Sequence, residues 1–275
     1  MSDYIKSLRI MSKEETVDII VRNKYSCARF GDGEFAVMAG DGNGFQRSNA
    51  KLGERLKEVI ISTNPNLLVC IPLSLKDTKS MTLNSKLSAY GYRHCFLKKV
   101  VMPCVTTSKT YGDALFTRFY MARKDKSHTA EYVKMLKQLW DGEDMLIVEG
   151  KYSRLGVGND LFDNAHSIKR ILCPQENAFD KYNTILDGII SNYCGELILL
   201  AVGMTATVLA CDLANKNIRA LDLGHIDIEY EWFRMGATHK TSIPGKQMSE
   251  CEGDTVLTMP SDTLYKNQII ADYSS

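Results

Sequence analysis

Two acidic residues, Asp32 and Glu34, flank Gly33 in the segment R-F-G-D-G-E at residues 29–34. Carboxylates at this spacing, with glycines around them, can converge on one hard divalent cation that also binds a diphosphate. A cation held in this way neutralises the charge that develops on a departing phosphate. The same residues also suit the start of a helix, with Asp32 as N-cap and Glu34 in the first turn. The spacing alone leaves both interpretations open.

A second polar turn, E-G-K-Y-S-R-L-G-V-G-N-D at residues 149–160, follows an apolar strand-like run. Backbone amides of such a loop, and of a following helix capped by Asn159, can cradle a phosphate. The pattern matches neither the dinucleotide fingerprint nor a Walker loop, so an ordinary strand-to-helix connection explains it equally well. The candidate phosphate-binding residues are Lys151, Arg154, Gly156, Gly158, Asn159 and Asp160.

Two further polar turns follow apolar runs later in the chain. Gly203 and Thr205 come directly after E-L-I-L-L-A-V, where a helix N-terminus would offer an anion seat; Thr205 as a plain N-cap is the alternative. The last turn is D-L-G-H-I-D-I-E-Y-E-W at residues 222–232. It supplies Asp222, a histidine able to bind a metal, sugar or phosphate, and acids able to act as a general base. The candidates in this turn are His225, Asp227, Glu229 and Glu231, of which Asp227 and Glu231 would share a helix face.

The elements that must position these turns follow a regular alternation from residue 129 onward. Strand candidates alternating with 10- to 15-residue helices predict one α/β domain over 1–275, a Rossmann-like, doubly wound, mainly parallel sheet. Residues 74–128 form a less regular excursion, and a C-terminal tail begins at about 240. The predicted strands are 26–30, 67–73, 98–103, 144–149, 170–174, 196–202 and 218–223. The predicted helices are 12–23, 49–62, 113–123, 129–140, one after the loop at 149–160, 178–192, 205–215 and one from about 227.

Ligands of open parallel sheets bind beyond the carboxyl ends of the strands. The four polar turns all follow predicted strands, so we expect them to gather in one site. Four aromatic residues in the irregular segment suggest a sugar-stacking wall, although the buried face of a helix is the favoured interpretation. These are Tyr111, Phe116, Phe119 and Tyr120.

Composition and charge exclude several classes of protein. The formal net charge is +1, which gives no general attraction to nucleic acid or to an anionic membrane, although a local basic patch is compatible with it. Eight cysteines without C-x-x-C spacing predict buried free thiols rather than disulfides or a zinc site. The chain has no apolar run of 18 residues and no signal-peptide pattern, so we expect a cytoplasmic protein without membrane spans.

Five segments in order resemble the GT-D type glycosyltransferases, a family long described as a domain of unknown function. Family members include enzymes that glucosylate bacterial serine-rich repeat adhesins. The five segments are R-F-G-D-G-E at 29–34, E-G-K-Y-S-R-L-G-V-G-N-D-L-F-D-N-A at 149–165, R-I-L-C-P-Q-E-N-A-F-D-K-Y at 170–182, G-M-T-A-T-V-L-A-C-D-L-A at 203–214 and D-L-G-H-I-D-I-E-Y-E-W-F at 222–233. The resemblance covers nearly the whole chain.

The resemblance implies a single Rossmann-like domain that transfers a hexose, with glucose favoured, from a UDP-sugar to a hydroxyl of a glycan or glycosylated protein. The family's Asp-x-Glu motif, which engages Mn²⁺ (or Mg²⁺) and the donor, falls on Asp32 and Glu34. Such an enzyme would serve protein glycosylation or polysaccharide biosynthesis, with no nucleic-acid partner and with a homo-oligomer possible. The residues expected to contact the donor, beyond the loop at 149–160, are Arg29, Gly31, Gly33, Gly203, Thr205 and Asp222. If the reaction inverts the anomeric centre, Asp227, Glu229 or Glu231 would be the base.

Two other classes of protein remain compatible with the sequence. An acid 19 residues beyond Gly203 suits a dinucleotide or S-adenosylmethionine enzyme, although only one glycine stands where the fingerprint needs three. A catalytically silent nucleotide-sugar binding protein is the other alternative.

Overall fold

A nine-stranded parallel sheet forms the centre of the protein. The computed structural model describes residues 3–247 and 262–275. The strands are β1 (Arg9–Ile10), β2 (Ser26–Arg29), β3 (Leu67–Ile71), β4 (Thr110–Asp113), β5 (Asp144–Gly150), β6 (Ser167–Cys173), β7 (Leu197–Ala201), β8 (Ala220–Asp222) and β9 (Ile269–Asp272). Their order is β1-β4-β3-β2-β8-β7-β5-β6-β9, and every pairing between them is parallel. The predicted α/β class and parallel sheet are confirmed.

Helices cover both faces of this sheet. The α-helices are α1 (Asp3–Ser7), α2 (Lys13–Asn23), α3 (Asp32–Ala39), α4 (Ala50–Ile61), α5 (Leu83–Phe96), α6 (Met102–Cys104), α7 (Thr129–Lys137), α8 (Tyr182–Asn192), α9 (Met204–Asn215), α10 (Ile226–Arg234) and α11 (Thr263–Gln268). Short 3₁₀ turns occur at Leu73–Leu75, Ala114–Thr117 and Ala178–Lys181, and a π-helical turn at Leu97–Val101. The core divides into two clusters, one with α3, α4, α8 and α9, the other with α2, α7 and α10. This division is that of a doubly wound sheet.

Local sequence explains where the regular helices begin. Ser12 caps α2 through a hydroxyl that accepts the Glu15 amide, while the Glu15 carboxylate accepts the Ser12 amide, which is a reciprocal capping box. Asn49 caps α4 by accepting the Leu52 amide at 3.0 Å. The strand β5 lies between β6 and β7, which explains its uninterrupted apolar run.

Two predictions for the irregular segment at residues 74–128 are wrong. The run at 98–103 is not a strand: it continues α5 as the π-helical turn and then α6. The run contains two buried valines and therefore resembles a strand in sequence, yet no glycine or proline separates the run from α5. The neighbour of β3 is instead β4, where a Cβ on Gly112 would lie 2.6 Å from the Cys70 sulfur. This close approach makes glycine necessary and hides β4 from pattern analysis, because glycine is depleted in strands.

The predicted helix at 113–123 is also wrong. Asp113 Oδ1 accepts the amides of Leu73 at 2.9 Å and Leu115 at 3.0 Å, and so it ties the β4 end to the turn after β3. Only the single 3₁₀ turn Ala114–Thr117 follows. The helix expected after the loop at 149–160 is likewise absent from the described residues, where turns lead directly to β6.

The chain end contributes to the sheet rather than forming a simple tail. Residues 262–275 supply α11 and β9, and β9 pairs with β6 at the sheet edge. Part of the predicted tail, residues 248–261 with Cys251, lies outside the described residues. The seven described cysteines are free thiols, and four of them are buried as predicted; burial is the wrong prediction for Cys95 and Cys194, which are exposed. Within the described ranges, no helix has both the length and the apolar character needed to cross a bilayer. The single-domain assignment stays a prediction.

Candidate active site

The four polar turns meet at the carboxyl ends of four central strands. They follow β2, β8, β7 and β5, which are neighbours in that order, so their carboxyl ends lie side by side. A cavity of about 510 Å³ opens there, with α5 as its opposite wall. The connection from β5 leads outward to β6, whereas that from β7 leads back to β8. Such a reversal is where open α/β sheets bind their ligands.

The predicted site residues divide into those that line this cavity and those that lie behind it. The lining residues are Arg29, Gly31, Asp32, Gly33, Glu34, Gly203, Asp222, His225, Asp227 and Glu229. The residues outside the lining are Lys151, Arg154, Gly156, Gly158, Asn159, Asp160, Thr205 and Glu231. Three other loop residues, Gly150, Ser153 and Leu155, line the cavity instead of the predicted ones.

Asp32 and Glu34 stand at the start of α3, where β2 ends. Gly31 is the N-cap residue, and its amide donates to Glu34 Oε2 at 2.7 Å. Asp32 is exposed to the cavity, and its Oδ1 accepts the Gly33 amide at 3.1 Å. A Cβ on Gly33 would lie 2.7 Å from Met204 Cε, so glycine allows α3 to approach the first turn of α9. Burial, reinforced by the negative charge of Asp222, raises the pKa of Glu34 to about 7.

The donor set at α3 fits a cation shared with a phosphate ligand. The described residues contain no group of three or more histidine, cysteine, aspartate or glutamate side chains arranged to bind a metal. Asp32 and Glu34 therefore supply at most two protein ligands, and the others would be phosphate oxygens and water, as is common for Mg²⁺. The positive end of the α3 helix dipole also favours an anion at this point.

The partly buried Arg29 and the buried Asp222 form an ion pair that joins β2 to β8. The guanidinium lies 3.2 Å from Asp222 Oδ1 and also donates to the Thr117 hydroxyl at 2.6 Å and the Ala114 carbonyl at 3.0 Å. The Thr207 hydroxyl donates to Asp222 Oδ2 at 3.1 Å. Burial raises the pKa of Asp222, and the Arg29 charge opposes that increase. These contacts hold the cavity floor together.

Gly224 packs directly against this ion pair. Its φ of +52° lies in the left-handed region, and an added Cβ would overlap the Arg29 guanidinium. Glycine is therefore required at this turn for two reasons: the backbone conformation and the space.

The acids on one face of α10 fasten the loop at 149–160 to the helix. Asp227 Oδ1 accepts the Gly156 amide at 2.9 Å and the Asn159 side-chain amide at 2.7 Å. The same Asn159 amide group donates to Glu231 Oε1 at 2.7 Å. The buried ammonium of Lys246 donates to Asp227 Oδ2 at 2.6 Å and to Glu231 at 3.2 Å. Asp227 and Glu231 thus share a face, as predicted, and Asn159 bridges them instead of capping a helix.

Glu229 and His225 contact the irregular segment. Glu229 Oε2 accepts the backbone amides of Tyr120 at 2.8 Å and Met121 at 2.9 Å. Arg118 lies 3.1 Å from His225 Nδ1. A guanidinium can only donate, so Nδ1 accepts and the neutral ring carries its proton on Nε2. His225 can therefore donate a hydrogen bond from Nε2.

The other predicted donor-binding residues lie outside the cavity lining and are held within the protein. Arg154 is buried and donates to the Gly245 carbonyl, while Asp160 accepts from Tyr230 and Lys137. Thr205 is not the N-cap of α9, which is Gly203, and its buried hydroxyl has no hydrogen-bond partner in the described part of the chain. The four aromatics of the irregular segment are buried, as the favoured interpretation predicts, although not on an α-helix, and they do not line the cavity: Tyr111, Phe116, Phe119 and Tyr120.

Sequence analysis missed part of the cavity wall. The additional lining residues that carry polar or aromatic groups include Asn43, Phe45, Tyr92, Arg118, Lys240 and Gln247. Tyr92 lies on α5, for which the sequence does carry a signal, since Thr82 accepts the Ser85 amide at 3.4 Å as an N-cap. Lys240 and Gln247 follow the last central helix in a stretch without regular periodicity, so no pattern indicates them.

Comparison with known proteins decides the family. The model of the glycosyltransferase GT-D fold family matches residues 27–251. The protein belongs to this glycosyltransferase family. It is 37% identical over 268 residues to the "probable glycosyl transferase Gly" of Streptococcus gordonii and 35% identical over 265 residues to "glycosyltransferase GlyD" of Streptococcus pneumoniae serotype 4 (strain ATCC BAA-334 / TIGR4). These matches cover 97% and 96% of the chain but only 39% and 32% of the two relatives.

Solved structures of the GT-D fold agree with this assignment. One, described as domain of unknown function 1792 with a distinct glycosyltransferase fold, is 38% identical, with a TM-score of 0.92 over 98% of this chain and 97% of the other. A glycosyltransferase of the same domain type from Streptococcus sanguinis is 37% identical, also at 0.92, over 97% and 99% of the two chains. The alternative of a dinucleotide or S-adenosylmethionine enzyme gains no support from these comparisons.

Proposed function

We propose that the protein is a metal-dependent glycosyltransferase that moves a hexose, with glucose favoured, from a UDP-sugar to a hydroxyl of a glycan or glycosylated protein. The observation that carries this proposal is the position of Asp32. Its carboxylate is exposed in the cavity at the N-terminus of α3, among four turns that converge at the carboxyl ends of the central strands. Membership of the GT-D family supplies the reaction class.

In this proposal Asp32 and Glu34 hold a divalent cation, Mn²⁺ or Mg²⁺, against the donor diphosphate. The bound cation supplies compensation for the charge of the leaving nucleotide. Three cavity-lining side chains add positive charge or a donor near that phosphate: Arg118, Lys240 and, through Nε2, His225. The Arg29–Asp222 pair keeps the floor in place rather than binding the donor directly.

If the reaction inverts the anomeric centre, an acid must accept the proton of the attacking hydroxyl. Of the three candidate acids on α10, only Asp227 and Glu229 line the cavity; Glu231 lies behind it with Lys246 and Asn159. We therefore restrict the base to Asp227 or Glu229. Removal of a general base lowers turnover by roughly 10²- to 10⁴-fold. Glu231→Gln should retain turnover far better than Asp227→Asn or Glu229→Gln, measured at saturating donor.

The direct test is UDP release from a panel of UDP-sugars with and without Mn²⁺. We expect one hexose donor to be turned over, only with the cation, and Asp32→Ala to lower the rate by roughly 10²-fold or more. Glu34→Ala is measured alongside. Asp41→Ala is the matched control, because Asp41 is exposed just after α3 and does not line the cavity. Cation-independent turnover, or an unaffected Asp32→Ala, would refute the metal role; binding without any donor turnover would indicate the non-catalytic alternative.

A further inference from the structure

Helix α5 has an outward face that no described residue covers. Leu83, Leu87 and Tyr90 recur at helical spacing and are 70%, 62% and 70% exposed, among the most exposed large apolar side chains in the described chain. The opposite face of the helix lines the cavity through Ser85 and Tyr92, among others. One side of α5 thus faces the candidate active site, and the other presents an apolar stripe to solvent.

The surroundings of this stripe are positively charged. Residues 78–112 contain six lysine and arginine residues and no aspartate or glutamate, in a chain whose overall charge is only +1. Lys86 and Arg93 lie beside the stripe on α5, and Lys98 and Lys99 are exposed just after it. The six residues are Lys79, Lys86, Arg93, Lys98, Lys99 and Lys109, of which Lys109 is half-buried and donates to the Ser62 carbonyl at the end of α4.

A seventh cationic side chain, that of Lys124, lies beside α5 although it comes from outside residues 78–112. The ammonium of Lys124 neighbours that of Lys86 and lowers its pKa, through a side-chain contact and charge repulsion. Lys124 is held there because its amide bonds the Ser80 carbonyl at 3.0 Å. The Asp77 carboxylate opposes this effect and raises the Lys86 pKa. Two ammonium groups placed together at the edge of an apolar stripe form a surface suited to an anion.

We propose that the outer face of α5, defined by Leu83, Leu87, Tyr90, Lys86 and Lys124, docks on the surface of a bilayer that contains anionic lipids. A narrow apolar stripe with cations at its margin is the pattern of helices that lie in the membrane interface. The leucines and the tyrosine ring enter the boundary between headgroups and acyl chains, while the lysines contact lipid phosphates. Charge complementarity therefore favours an anionic bilayer, rather than an apolar protein surface, as the partner of this face.

Docking in this way places the candidate active site beside the bilayer, because α5 is shared by both. The protein would lie on the membrane without crossing it, which agrees with the absence of any spanning helix among the described residues. The proposal does not depend on the donor or on the cation.

The test is sedimentation of the protein with vesicles of phosphatidylcholine alone or with about 30% phosphatidylglycerol. We expect binding at least roughly tenfold tighter to the anionic vesicles, weakened by about 0.5 M NaCl. The double variant Leu87→Ser/Tyr90→Ser should lose roughly tenfold or more through the apolar contact, and Lys86→Gln/Lys124→Gln a similar factor through the charge. Ile61→Ser, an equally drastic change at a 59% exposed position on α4, should bind as the wild type does.

Several outcomes would overturn the proposal. Equal binding to both vesicle types would remove the role of charge, and unchanged binding of Leu87→Ser/Tyr90→Ser would remove the role of α5. Light scattering supplies a third readout: a dimer that Leu87→Ser/Tyr90→Ser converts to a monomer would show that a second copy covers this face. Circular dichroism on each variant confirms that a loss of binding does not come from unfolding.

Discussion

Glu34 has the most informative environment of any single residue in the site. Burial and the neighbouring Asp222 raise its pKa to about 7, while its Oε2 accepts the Gly31 amide. The carboxyl is therefore largely protonated below pH 7 and ionised above it. Only the ionised form adds negative charge beside Asp32, so the attraction of this pair for a divalent cation grows as the pH rises through 7.

Cation affinity should accordingly depend on pH. Between about pH 6 and about pH 8 we expect the apparent affinity for Mn²⁺ to rise by about tenfold, because the ionised fraction of a group with this pKa rises by about that factor. In Glu34→Gln the affinity should stay flat over the same range. Mn²⁺ titrations in the presence of a UDP-sugar measure both, because its doubly esterified diphosphate lacks the terminal phosphate ionisation that free UDP has at about pH 6. A flat wild-type profile would show that Glu34 is not part of the cation site.

Gly224 gives a second residue-scale prediction, about the floor of the cavity. Gly224→Ala must bear both a left-handed backbone and a Cβ that overlaps the Arg29 guanidinium. We expect it to lower the free energy of unfolding by about 2 kcal/mol or more, measured by urea denaturation. Gly236→Ala is the matched control: its φ is +61°, yet nothing lies within 4 Å of the added Cβ. A similar loss in both variants would show that the backbone alone, and not Arg29, is responsible.

At the level of elements, the loop at 149–160 and helix α10 act as one unit. Asp227 and Glu231 bind the Asn159 side chain of the loop on one side and Lys246 on the other. The sequence predicts that the two acids share a face, since their spacing is fixed by the helix. It does not predict Lys246, because that residue lies in an irregular stretch 15 residues beyond Glu231 and only the folded chain brings it back.

Removal of Lys246 should weaken this unit. Lys246→Met leaves two neighbouring buried acids without their cation, and we expect a loss of about 3 kcal/mol in the free energy of unfolding. Urea denaturation measures the loss. The control is Lys216→Met, since Lys216 is exposed at the end of α9. An effect no larger than in the control would mean that Asn159 and the Gly156 amide satisfy Asp227 without Lys246.

The elements also show which parts of the fold a sequence reveals. Strands β5 to β8 and the helices α8, α9 and α10 follow periodic apolar patterns, and the sequence predicts them with small shifts at the ends, whereas the helix predicted between β5 and β6 is absent from the described residues. In the segment 74–128 the same method fails, because β4 contains Gly112 and because the buried Val100 and Val101 lie in a π-helical turn. Positions of the site turns were predictable from strand ends, whereas their partners, such as Arg29 with Asp222, depend on which strands become neighbours.

For the molecule as a whole, β9 matters because it is the outermost strand on one side of the sheet and covers β6. It pairs with β6, which would otherwise present an unpaired edge. The helix before it anchors the chain end through Tyr265, which is 1% exposed and lies against the Arg170 guanidinium at 5.0 Å from its ring centre. Arg170 in turn pairs with the buried Glu149 at 2.6 Å, so the chain end supports the strand that leads into the site.

Loss of this anchor should therefore destabilise the whole fold. We expect Tyr265→Ala to lower the free energy of unfolding by about 3 kcal/mol, as for other large buried side chains. Leu264→Ala, one position away at 67% exposure, should change it by less than about 0.5 kcal/mol. Thermal or urea unfolding distinguishes the two. Equal stability of both variants would mean that residues 262–275 are not integral to the fold.

The Arg29–Asp222 contact joins residues 193 positions apart, and this separation has a consequence for protein synthesis. At about 5–20 residues per second, a ribosome that has made β2 needs roughly 10–40 seconds more before β8 emerges to meet it. During that interval β2 lacks one of its two neighbours, and its arginine lacks its counter-ion. A nascent chain therefore cannot assemble the candidate active site early, and chaperones would encounter this exposed half-sheet first.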